Sequence, residues 1–106
     1  MDSSASWGDV GDTAESISRA GREIEQRARR RVSSAADKEA ARQALLALTA
    51  AGARLARQLD TLAARYESTS VAEPSATQVA LDQAAAAAED LGLSTRVAAQ
   101  AIEEGE

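Results

Sequence analysis

Histidine, cysteine and phenylalanine are all absent from the 106 residues of this chain. Without cysteine there is no disulfide framework, no thiolate nucleophile and no cysteine-ligated metal. Without histidine, the common general base at neutral pH disappears, together with Ser–His and Cys–His pairs and the Glu-x-x-His motif of helical di-iron sites. Phosphate-cradling loops are missing too, since neither Gly-x-Gly-x-x-Gly nor Gly-Lys-Ser/Thr occurs. No stretch approaches the ~20 consecutive apolar residues that span a bilayer. Asp9, Asp12 and Glu15 are spaced by three but lack the Asp-x-Asp-x-Asp-Gly calcium loop. These absences predict a protein that is not an enzyme and has no cofactor, no metal, no small-molecule substrate and no membrane partner.

Large apolar side chains are also scarce. The 44% hydrophobic content is mostly alanine, with seventeen Val, Ile or Leu beside Met1, Trp7 and Tyr66. A buried Leu or Ile contributes roughly 1.5–3 kcal/mol, a methyl-sized group about 0.8. A core built mainly of alanine is thin, and small domains are marginal already. Burial against a second copy or another protein offsets that deficit, so a homo-oligomer or a complex subunit is the expectation.

What is present is helix-forming sequence. The fold class expected is all-α, an antiparallel helical hairpin or bundle of three to four helices over about 13–32, 35–68, 75–91 and 95–104. Residues 1–11 read as a flexible segment, 12–106 as a single helical domain, and 68–74 as a polar linker closed by Pro74, the only proline. Asp12-Thr13-Ala14-Glu15 has the form of a capping box. Ala14, Ile17, Gly21, Ile24 and Ala28 then recur by three and four. In the second helix Ala41, Leu45, Leu48, Gly52, Leu55, Leu59, Leu62 and Tyr66 keep an unbroken heptad spacing. Gly52 costs about 1 kcal/mol of helix propensity relative to alanine, which marks it as a place where another helix crosses closely, with a kink in the helix as the competing explanation. In the third helix Leu81, Ala84, Ala88 and Leu91 share a face. Gly92-Leu93-Ser94 reads as a C-cap followed by a new N-cap. The expected helix–helix interface is therefore Ile17, Gly21, Ile24, Leu45, Leu48, Gly52, Leu55, Leu59, Leu62 and Tyr66, with Trp7 as a candidate anchor in a partner's groove.

Charge is divided along the chain. Residues 1–18 carry four acids and no base, residues 19–65 eleven bases against five acids, and residues 66–106 one base against eight acids. Such asymmetry points to acidic segments meeting a basic middle, within or between chains. Arg27, Arg29, Arg30 and Arg31 are the candidate contacts for nucleic acid, whose affinity would fall steeply with salt. A chain of net charge −5 without an aromatic stacking platform argues against that partner.

Two resemblances add to this reading. Ala88-Glu89-Asp90-Leu91-Gly92-Leu93-Ser94 resembles the helix–turn junction of helix-turn-helix DNA-binding proteins, with a small residue four before the turn glycine. It would make Thr95–Glu106 a recognition helix whose only base is Arg96. In format, a cysteine-free helical hairpin of about this length resembles the small WXG-type substrates of type VII secretion, which implies signal-independent export. Here Trp7 and Gly8 are adjacent, and Tyr66 is followed four residues on by Ser70 instead of an acid. The acidic start has no signal-peptide character, so the compartment expected by default is the cytoplasm.

Overall fold

The computed structural model describes residues 6–29, 34–66 and 75–104. Among them the chain is all-α: α1 (Trp7–Ala28), α2 (Ala35–Ala64) and α3 (Ala76–Glu103), with no strand. Each helix opens on a serine in extended conformation whose hydroxyl accepts from the backbone N–H three residues on: Ser6 from Asp9, Ser34 from Asp37, Ser75 from Gln78. Such a cap satisfies one of the N–H groups a helix start leaves open. Ser75 also donates to the Tyr66 carbonyl at 2.6 Å, which ties the end of α2 to the start of α3.

Three sequence expectations are corrected. The first helix starts at Trp7, not near residue 13, because Ser6 and Asp9 form a complete capping box ahead of the Asp12–Glu15 pair. Residues 7–11, expected to be loose, are therefore helical, while 1–5 lie outside the described residues. The same helix ends at Ala28, and its expected continuation over 30–32 lies outside the described residues, as does the linker at 68–74. The third correction concerns α3, which runs unbroken through Gly92, so the expected third and fourth helices are one. With no turn at Gly92-Leu93-Ser94, the helix-turn-helix resemblance does not hold.

Gly92 serves a crossing, not a cap. A Cβ on Gly52 would lie 3.0 Å from the Ala88 carbonyl oxygen and 3.1 Å from the Gly92 nitrogen. One on Gly92 would lie 3.2 Å from the Thr49 carbonyl oxygen. The two glycines thus let the antiparallel α2 and α3 backbones touch. Around them α3 presents Leu81, Ala85, Ala88, Gly92, Thr95, Ala99 and Ile102, spaced by four and three, and the five central positions are buried. Beside the glycines the Thr49 and Thr95 hydroxyls sit 2.8 Å apart. Each has one proton, so one hydroxyl donates across the interface while the other accepts there and donates to its own helix, Thr95 to the Leu91 carbonyl or Thr49 to that of Leu45.

Among the described residues α1 packs antiparallel on α2 alone. Thr13, 2% exposed, donates to Gln58 at 2.8 Å near one end, and Arg27 donates to Asp37 at 3.0 Å near the other. The α1 seam is Val10, Thr13, Ile17, Ala20, Ile24 and Arg27, one step round the helix from the stripe expected. Gly21 falls outside it, exposed, with nothing within 4 Å of where a Cβ would be. Gly21→Ala should therefore stabilise the fold by about 1 kcal/mol through helix propensity. Thermal unfolding would register this as a rise of roughly 4–8 °C; a fall would mean that Gly21 is a packing position after all.

The core is as thin as the composition predicts. Among the described residues the buried hydrophobic side chains are eight alanines and three leucines, Leu48, Leu59 and Leu62.

Candidate helix-docking face

The leucine stripe of α2 is shared between its two neighbours. With about 100° of rotation per residue, Leu45, Gly52 and Leu59 turn toward α3, which meets α2 at Gly52. Leu48, Leu55 and Leu62 turn toward α1, which meets α2 at Gln58. Leu62 is 1% exposed, whereas Leu45 and Leu55 are only half-buried. The expected seam exists, but its partners are helices of the same chain, and its last member, Tyr66, is exposed just past the end of α2.

Among the described residues α1 and α3 flank α2 without touching each other. A closed three-helix bundle would bring every pair of backbones together; here α1 and α3 stay apart, which leaves an open side between them. The side is identified by what lies on the other one. Ser16, Arg19 and Glu23 of α1 line a groove with Ala40, Ala47 and Arg54 of α2. On α3, Glu89, Leu93 and Arg96 lie beside Thr49 and Ala53. The remaining flanks therefore border the leucines: Val10, Ala14, Ile17 and Gly21 on α1, and Ala80, Ala84, Leu91 and Ala98 on α3.

Those flanks carry no charge. The acids and base of α3 lie on its outer side, with Asp90 pointing directly away from α2. On α1 the arc through Ile17, Ile24, Gly21 and Ala14 is equally free of charge, and Glu25 and Arg29 border it, 3.8 Å apart. Ile17, Ile24, Leu55 and Leu91 are all half-buried on this face. Removing about 25 cal/mol per Å² of such surface from water is the one large favourable term the single chain leaves unused.

The opposite groove between α1 and α2, of about 590 Å³, is floored by alanines and bordered by Arg19 and Arg54. It is open and shallow, and its floor has little apolar reach.

The arginines proposed for nucleic acid divide. Arg27 is held by Glu23 at 2.8 Å and Asp37 at 3.0 Å, a structural clamp between α1 and α2. Arg29 lies 3.8 Å from Glu25, and Arg30 and Arg31 lie outside the described residues. Among the described residues the one perturbed pair is elsewhere: hydrogen bonds from Arg42, then from Gln43, hold the Glu39 carboxyl below its ordinary range. Glu39 is exposed, and its contribution is present at neutral pH and fades only in acid, as the carboxyl protonates. Trp7, 52% exposed, is the first residue of α1 and sits at the same end of the molecule as Tyr66.

Compared with known proteins, the chain matches no family model, no curated protein and no solved structure.

Sequence reasoning missed the Thr13–Gln58 bond and the role of Gly92. The bond left no trace in periodicity, because Thr13 read as the helix start just after an Asp12 cap. For Gly92 a signal was present, the spacing Ala85, Ala88, Gly92, Thr95, Ala99.

Proposed function

We propose that this chain is a non-enzymatic helical interaction protein that takes a further helix on the open face between α1 and α3. The observation that supports this is the charge-free face itself: walled by small residues, with Leu45, Leu55 and Leu91 only half-buried in the single chain. Surfaces of this kind are filled by amphipathic helices, whose apolar positions recur at three and four residues. Nothing brought together on the face is a nucleophile, base or metal ligand, so its chemistry is burial.

The test uses positions that are exposed in the single chain. Ala14→Arg and Ala84→Arg charge the two walls without entering the core, and arginine is a good helix former. The doubly substituted protein should keep its helical circular dichroism but lose its association, whether with itself or with another protein. Ala86→Arg, on the outer face of α3, should change neither. Undiminished association of the double variant in sedimentation velocity would contradict the reading.

A further inference from the structure

We infer that α1 is a releasable strap: it opens as one unit while α2 and α3 stay paired, and its opening uncovers the leucines of α2 beneath it.

Local chemistry makes α1 the weakest of the three helices. Three of its 22 residues are glycine, Gly8, Gly11 and Gly21. Packing uses none of them. A Cβ on Gly11 or Gly21 would meet nothing within 4 Å, and one on Gly8 only the hydroxyl of the cap residue Ser6, at 3.6 Å. Each glycine therefore weakens the helix relative to alanine and gives no close contact in return. Helices α2 and α3 hold one glycine each, and both lie at their mutual crossing. The run Ala84–Ala88 of α3 is at the other extreme, because alanine is the best helix former.

Burial points the same way. Among the described residues of α1 only Thr13 and Ala20 are buried, and its large apolar side chains on the seam, Val10, Ile17 and Ile24, stay half-buried. Helix α3 buries Ala85, Ala88, Gly92, Thr95 and Ala99 along its middle, and its contact with α2 is the more extensive of the two. The polar links of α1 to α2, Thr13 to Gln58 and Arg27 to Asp37, lie toward its two ends. No close backbone crossing holds its middle. Proteins open locally where helix propensity and buried contact are lowest, at a smaller free energy than global unfolding. Opening here exposes Leu48, Leu55 and Leu62 of α2 together with Ile17 and Ile24 of α1. Helix α1 is also one wall of the open face, so its release dismantles that face. The inference rests on α1 and α2 alone and holds whether or not anything docks there.

Native-state hydrogen exchange of the full chain, in the regime where rates report opening equilibria, tests this. Amides of residues 16–24, the middle of α1, should exchange together and about tenfold or more faster than those of residues 51–56 and 88–95 at the crossing. Ala99→Gly then distinguishes a strap from a single cooperative unit. It removes a methyl that is 2% exposed in the α2–α3 seam. The crossing amides should speed up roughly tenfold through lost helix propensity and lost burial. The α1 amides should keep their wild-type rate, because α2 and α3 are paired whether the strap is closed or open. A middle of α1 that exchanges as slowly as the crossing in the wild type would overturn the inference. So would an Ala99→Gly variant in which α1 and the crossing speed up by the same factor.

Discussion

Gly52→Leu should separate α2 from α3. A Cβ at this position already meets the Ala88 carbonyl oxygen at 3.0 Å and the Gly92 nitrogen at 3.1 Å. Both are main-chain atoms, so no side-chain rotation relieves the contact; the helices themselves have to move apart. Moving them breaks the Thr49–Thr95 bond and opens the contacts at Ala85, Ala88 and Ala99, the bulk of the α2–α3 interface. Overpacking typically costs 1–3 kcal/mol, and here no flexible neighbour gives way, so ~3 kcal/mol or more is expected even after the gain of about 1 kcal/mol in helix propensity. Chemical denaturation would show it as a large fall in midpoint. A midpoint within 1 kcal/mol of the wild type would mean that the glycine crossing is looser than its geometry.

Leu62→Ala is the second large effect. Leu62 is the most deeply buried large side chain among the described residues, at 1% exposure, and it sits where α1 leans on α2. Truncating a buried leucine costs about 2–5 kcal/mol, more when the surroundings cannot collapse into the space. The neighbours here are helices whose buried side chains are mostly alanine, already at their smallest, and they have little reach to fill a hole. Against a total stability of order 5–15 kcal/mol for a domain, this single change removes a large part of what holds the fold. Leu93→Ala is the internal comparison, because Leu93 is 46% exposed and on the outer side of α3; its effect on the denaturation midpoint should be within ~0.5 kcal/mol. Equal effects of the two substitutions would contradict the placement of the core.

The parts of this fold that local chemistry decides were legible in the sequence, and the parts that tertiary contact decides were not. Ser34 and Ser75 stand three residues before Asp37 and Gln78, and both helix starts followed directly. The heptad stripe of α2 was equally plain, because periodicity survives whichever neighbour covers it. Which neighbour covers it was not: the stripe looked like a seam for another molecule, and α1 and α3 of the same chain share it between them. Gly92 shows the same limit. An isolated glycine followed by Leu-Ser satisfies the local pattern of a helix end as well as that of a close crossing, and only the opposing Gly52 decides between them. At the first helix two cap patterns competed, and the earlier one prevailed because Ser6 and Asp9 satisfy each other in both directions. The open face was out of reach of one-dimensional reading. It exists because α1 and α3 fail to meet, a fact about angles around α2 that no stretch of residues encodes alone.

Absolute mass by light scattering over a concentration series, for the wild type and for the Ala14→Arg, Ala84→Arg variant, tests most directly whether that open face is where this protein acts. The account predicts that the wild type rises above 11.0 kDa as concentration increases, while the variant, equally helical, stays at that mass. A variant whose mass rises with concentration as the wild type's does would contradict it.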